Sequence, residues 1–290
     1  MPRRSLISTM HPTVGLAADD ELKVYYPDDP DPQKAGQGLA FAPLAFQILE
    51  TDSANYWLMS PPGQIAMIYL LEHLRPRVAI EIGTRFGGSL QVLSRYCDRV
   101  YSLDIDPEVP RRLAGRYANV EYIVGPSDQT LPPLIDRLND ERAEVGFVLV
   151  DGDHSAEGVR RDINNVLRIK PIVPLYIIMH DSFNPDCRRG QRESDWAGSP
   201  YVHAVELDFV GGTVNPSPEF AGELWGGLAL GVLRPEPRRG RFEVIGRAER
   251  TYQDAAEVEW RRSRPPLPRR IVNRLRRMAS ALAGTRGTSG

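Results

Sequence analysis

Val78-Ala79-Ile80-Glu81-Ile82-Gly83-Thr84-Arg85-Phe86-Gly87-Gly88-Ser89 is the stretch that decides the fold. An apolar run ends in an acid, a glycine follows two residues later, and a glycine pair leads toward a helix-like segment. A strand that feeds a tight turn and then a helix in a cofactor-binding α/β domain has this shape. A dinucleotide site wants G-x-G-x-x-G, whose second glycine lets backbone approach a pyrophosphate. Arg85 stands where that second glycine would be. The spacing is E-x-G-x-x-x-G instead.

The residues beyond the turn repeat the rhythm. Strands are expected at Val78–Ile82, Val100–Ile105, Val120–Val124, Val145–Val150 and Leu175–Met179. Helices are expected between them at about Ser89–Tyr96, Pro107–Tyr117, Thr130–Leu138 and Ala156–Ile169. Alternation of short apolar strands with helices predicts an α/β fold, a Rossmann-like doubly wound sheet, mostly parallel and covered on both faces. Leu228–Leu233 and Arg241–Ile245 are expected to close it as a C-terminal antiparallel strand pair. Ligands in such sheets bind beyond the carboxyl ends of the strands.

On these residues the turn resembles motif I of class I S-adenosylmethionine (SAM) methyltransferases. That resemblance implies a cofactor with an amino-acid end and a ribose rather than a pyrophosphate. Gly83 and Gly87 would allow close backbone approach. Glu81 and Ser89 would bond the methionine end. Asp104, about 20 residues past the turn, would take the ribose hydroxyls. Asp106 is the weaker choice there, because it opens an Asp-Pro helix start and caps it. Ser127 and Asp128 would face the adenine. Each residue alone is also explained by turn or cap chemistry; their occurrence at three successive strand ends carries the reading.

The next two strand ends hold Asp151-Gly152-Asp153-His154-Ser155 and His180-Asp181-Ser182. Adjacent strands lie about 4.8 Å apart, so Asp151 and Asp181 can converge on one cation. D-G-D-H-S followed by H-D resembles a branch of SAM-dependent O-methyltransferases that includes the macrocin- and mycinamicin-type sugar enzymes and the cephalosporin-hydroxylase-like proteins. The resemblance covers roughly residues 60 to 185. It implies Asp151, His180 and Asp181 as ligands of a divalent cation (Mg2+ or Mn2+), with His154 as general base beside catalytic Asp151. His180 departs from the acid or amide usual in those relatives. Imidazole suits manganese, iron or zinc better than magnesium, and a base in a metal-free site is the alternative. Asp153 reads as a turn or capping acid. Trp196, Tyr201 and Trp225 would offer flat faces to a sugar or aromatic acceptor, or would be core.

Three regions are expected: an irregular or helical N-terminal cap over 1–57, the methyltransferase domain over 58–250 with an insertion at 183–225, and an Arg-rich amphipathic tail over 251–290. No acidic residue follows Glu259. The tail segment 267–282 has a basic amphipathic pattern that suits an anionic membrane surface, although a solvated tail is the favoured reading.

Net charge is −2 over 290 residues, which gives no bulk attraction to nucleic acid. Two cysteines without C-x-x-C spacing fit free thiols in a reducing cytoplasm and not a structural zinc site. No signal-peptide pattern and no apolar run of spanning length occur. The expected activity is methyl transfer to a hydroxyl of a small-molecule acceptor: a sugar, glycoside or polyketide-like compound. A metal-independent methyltransferase, a non-catalytic SAM-binding partner in a biosynthetic complex, and a homo-oligomeric state all stay open.

Overall fold

A computed structural model describes residues 57–214 and 224–248, with Arg250 and Asp254. Helix α1 (Pro61–Leu74) precedes the sheet. Then come β1 (Val78–Ile82), α2 (Leu90–Tyr96), β2 (Arg99–Asp104), α3 (Val109–Arg112), β3 (Val120–Val124), α4 (Ser127–Asp140), β4 (Val145–Val150), α5 (Ala156–Val166) and β5 (Leu175–His180). The chain continues through α6 (Pro185–Glu193), β6 (Val202–Val214), β7 (Leu224–Leu233) and β8 (Val244–Ile245).

The eight strands form one sheet in the order β3-β2-β1-β4-β5-β7-β6-β8. β1 to β5 run parallel; β7 is antiparallel to both β5 and β6. The order reverses between β1 and β4, which opens a crevice at their carboxyl ends.

Strand periodicity explains both faces. Ile80, Val148 and Ile177 join one buried cluster with Leu131, Ile135, Ile163 and Val166 of α4 and α5. Ala79, Phe147, Leu149 and Ile178, one residue out of step, join the other cluster with Met67, Ile68 and Leu71 of α1 and Leu90 and Leu93 of α2. A strand apolar at every position is what a sheet buried on both sides requires.

Two expectations change. The helix expected at Pro107–Tyr117 is only the four-residue α3, and the chain beyond it turns through Gly115 at φ 72°. The closing antiparallel pair is also different. β7 pairs with β6, from Val202 opposite Leu233 to Val214 opposite Leu224. The expected partner, Arg241–Ile245, supplies only the two-residue β8, which lies parallel to β6 at the sheet edge. The segment 183–225 therefore holds a helix and a long strand of the sheet. Most of the 1–57 cap and most of the 251–290 tail lie outside the described residues. Among the described residues no helix is long and apolar enough to cross a membrane.

Candidate active site

One cavity of about 1040 Å³ follows the carboxyl ends of the strands, from Gly125 through Gly83 and Asp104 to Asp151, His180 and Trp225. Small-molecule sites span about 300–1,000 Å³, so this one is at the large end.

The β1 turn forms the first wall. Gly83 has φ 89°, and a side chain there would run into the Asp151 carbonyl and Gly152. That lack of a Cβ lets the β1 and β4 ends close together. Arg85 adopts φ 49°, a left-handed conformation costing about 1–2 kcal/mol in a non-glycine residue. Asp104 offsets the cost: its Oδ2 accepts the backbone N–H groups of Thr84 and Arg85 at 2.9 and 2.7 Å, while Oδ1 accepts that of Asp106 at 2.8 Å. Thus Asp104 both lines the cavity and fastens its loop. Asp106 is engaged as a turn acid, accepting from the Glu108 N–H at 2.9 Å and pairing with Arg112 at 2.6 Å.

Glu81 sits behind this wall and does not line the cavity. It is fully buried and accepts from Ser89 Oγ at 2.6 Å and Thr84 Oγ1 at 2.7 Å. Burial pushes its carboxyl up to about 7 against the pull of those two hydroxyls. Ser89 lines the cavity, whereas Gly87 packs with its φ of 79° against Leu113, and Gly88 takes the cavity-facing place. Glu81 is thus a support of the loop. Ser127 and Asp128 do line the opposite end, and Ser127 Oγ donates to Asp162 Oδ1 at 2.6 Å.

The second half of the cavity holds Asp151, His154, His180 and Asp181, whose ligand atoms all lie within 4.8 Å of one another. His180 Nδ1 is 2.9 Å from Asp151 Oδ1 and 3.5 Å from Asp181 Oδ2. His154 Nε2 is 3.0 Å from Asp181 Oδ2 and 3.6 Å from Asp151 Oδ1, the latter too long for a good hydrogen bond. Asp181 directly follows β5 with φ 54°. Its Oδ1 accepts the Gly226 N–H at 2.7 Å, so β7 clamps the strained residue from the neighbouring strand.

The electrostatics follow from that packing. Burial works to raise the Asp151 and Asp181 carboxyls, but the two histidines hold both below the usual carboxylate range. Asp151 and Asp181 in turn push His154 up to about 9. Burial works to lower His180, yet the same carboxylates raise it well above its ordinary value. Carboxylates and histidines thus favour each other's charged forms. Two oxygen and two nitrogen donors converging in this way also fit a divalent ion, and that mix suits manganese, iron or zinc over magnesium. His180 Nε2 is buried without a partner, so the ring is oriented from its Nδ1 side.

Asp153 takes the turn role of the two expected for it: it accepts the Ser155 N–H at 2.8 Å and Ser155 Oγ at 3.0 Å, while Ser155 itself caps α5 by accepting the Gly158 N–H. The aromatic residues divide. Trp196 is core, 1% exposed, with Nε1 donating to the Gln191 carbonyl at 2.6 Å. Tyr201 packs partly buried against the same core. Trp225 lines the cavity with its ring 5.9 Å from that of His154. Trp57 lines it too. Its place at the end of an irregular segment gave no periodic signal, and Asp162 lay hidden in the polar run Arg160-Arg161-Asp162.

Residues 80–182, about a third of the chain, match a family model described as a methyltransferase domain. No curated protein matches. Among solved structures, the chain is similar to cofactor-bound Rv0187 from MTB, at 21% identity over 73% of this chain and 100% of that one, with a TM-score of 0.46. It is also similar to an O-methyltransferase from Bacillus cereus in complex with SAH, at 17% identity over 67% and 90%, TM-score 0.46. A third is the O-methyltransferase TomG from Streptomyces achromogenes, involved in tomaymycin synthesis and bound to SAM, at 19% identity over 67% and 90%, TM-score 0.45. The matched segment begins in β1, ends just past β5, and contains the glycine turn, Asp104, Ser127 and the whole acid–histidine group. The likeness to a methyltransferase domain thus takes in both the glycine turn and the acid–histidine group.

Proposed function

We propose that the protein transfers the SAM methyl group to a hydroxyl of a small-molecule acceptor, and that the acid–histidine group is the acceptor end of the site. The observation that carries this reading is the position of His154. It has the most exposed side chain of the four (41%), it lines the cavity, and it lies between the carboxylates and Trp225. SAM would occupy the half walled by Gly83, Ser89, Asp104, Ser127 and Asp128. Trp225 would then wall the acceptor half, where a flat apolar face suits a sugar or an aromatic ring, while Trp57 lies against Gly88 on the cofactor side.

The chain's residues divide the work by chemistry. A hydroxyl is a poor nucleophile while it keeps its proton. His154 Nε2 is the group placed to take it. While Asp151 and Asp181 are both engaged with the histidines, His154 is protonated at neutral pH and has no lone pair to offer. The base role therefore needs that carboxylate charge engaged elsewhere. Asp151, His180 and Asp181 have the donor set to hold a divalent cation. Bound there, it would supply charge that lowers the pKa of an acceptor hydroxyl. Holding donor and acceptor in line provides much of the remaining rate.

One observation favours a second reading, methyl transfer without metal: each carboxylate already pairs with a histidine, His180 with Asp151 at 2.9 Å and His154 with Asp181 at 3.0 Å. A radiolabelled-methyl transfer assay separates the two. Treatment with EDTA followed by manganese or magnesium add-back should abolish and then restore turnover; unchanged turnover after chelation removes the metal from the account. Both cysteines are free and buried, in keeping with the proposed cytoplasmic setting.

A further inference from the structure

Asp162 projects from α5 toward the sheet and is 1% exposed. Its Oδ1 accepts the Ser127 hydroxyl at 2.6 Å, and its Oδ2 has no partner. Burial pushes its carboxyl up to about 6 against the pull of Ser127. A buried acceptor left half-satisfied costs about 1–3 kcal/mol, so something must make it worth keeping. The structure shows where it acts. Ser127 and Gly152 both line the cavity, and a side chain at Gly152 would come within 3.4 Å of Asp162 Oδ2. Asp162 thus lies one layer beneath the cavity wall.

A serine hydroxyl has one hydrogen and two lone pairs. Here the hydrogen points to Asp162, away from the cavity. Ser127 can then present only lone pairs to a ligand. Without Asp162 the hydroxyl would rotate and serve equally as donor.

We infer that Asp162 is a positioning residue that fixes Ser127 as a hydrogen-bond acceptor, so that this wall selects a cofactor base with an amino group, not a carbonyl, at that edge. The inference rests on reading this half of the cavity as the SAM site. It assigns base selectivity to a side chain that does not touch the cofactor.

The test is calorimetric titration of the full chain with S-adenosyl-L-homocysteine (SAH) and with S-inosyl-L-homocysteine, in which a carbonyl replaces the amino group. Wild type should prefer SAH. Ser127→Ala and Asp162→Ala should each lose about 3–10-fold of that preference, the worth of one hydrogen bond, and the double variant should lose no more than either single one. A role for Asp162 in helix packing alone would lower stability without moving the ratio. Equal binding of both ligands by wild type, or an unchanged ratio in Asp162→Ala, overturns the inference while leaving the cofactor reading intact. Failure of wild type to bind SAH at all removes both. If Asp162→Ala does not fold, Asp162→Leu serves: it fills the buried space and cannot accept the Ser127 hydrogen, so the same loss of preference is expected, and a wild-type ratio refutes the claim.

Discussion

Glu81→Gln should make this protein more stable at alkaline pH, and the size of the effect can be worked out. Glu81 is fully buried, and burial raises its carboxyl from 4.5 to about 7. A folded-state pKa above the unfolded one means that folding favours the protonated acid. That contribution is complete below pH 4.5 and is lost as pH rises through 7. The gap of 2.5 units, from 4.5 to about 7, is worth about 3.4 kcal/mol at about 1.4 kcal/mol per unit. Most of it is lost between pH 5 and pH 8, where linkage gives a change of about 2.5 kcal/mol. Glutamine keeps the shape and cannot ionise, and the Ser89 and Thr84 hydroxyls can rotate to suit its amide. Urea unfolding of both proteins at several pH values isolates the term, because every other titrating group is shared. The wild-type midpoint should fall relative to the variant by about 1 M urea across that interval. Parallel midpoints from pH 5 to pH 8 would show that Glu81 titrates as an ordinary carboxyl, and the loop-support role argued from its burial would fail with it.

Other perturbations separate the loop, the core and the acceptor wall. Gly83→Ala places a Cβ against the Asp151 carbonyl at φ 89°; strain of about 1–3 kcal/mol should lower the melting temperature and SAH affinity together, and retention of both would contradict the tight β1–β4 junction. Trp196→Ala should cost about 3–5 kcal/mol as a large core truncation while leaving the acceptor KM unchanged in the folded fraction. Trp225→Ala should do the reverse, raising acceptor KM with a small effect on stability; matching effects of the two substitutions would argue against the division between core and wall.

Much of the site was legible because its residues sit at strand ends, where position follows from periodicity. Gly83, Asp104, Asp151, His180 and Asp181 could be placed by counting strands. The antiparallel half was not legible, for identifiable reasons. β6 carries register shifts between Val202 and Ala204 and between Glu206 and Val210, and such bulges break the two-residue alternation that marks a strand. Its glycines, Gly211 and Gly212, read as loop; Gly212 is a glycine because Phe183 and the Trp225 carbonyl leave no room for a Cβ. Asp162 carried a signal that its neighbours masked. It falls on the buried stripe Gly158, Val159, Asp162, Ile163 and Val166 of α5, and an acid on the apolar stripe of a helix is the informative exception. Glu81 shows the opposite limit: its position was right, but sequence spacing does not distinguish a residue facing the ligand from one holding the loop behind it.

The proposed function requires one cavity with two separable halves, a methyl-donor half built on Gly83 and Asp104 and an acceptor half built on Asp151, His154, His180 and Asp181. Asp151→Asn tests it most directly when SAH affinity and methyl transfer are measured on the same preparation, with the best hydroxyl acceptor found in a panel of glycosides and catechols. SAH affinity should stay within about threefold of wild type, less than the worth of one hydrogen bond, and methyl transfer should fall about 100-fold or more. Wild-type turnover in the variant, or a loss of SAH affinity as large as the loss of activity, would contradict it.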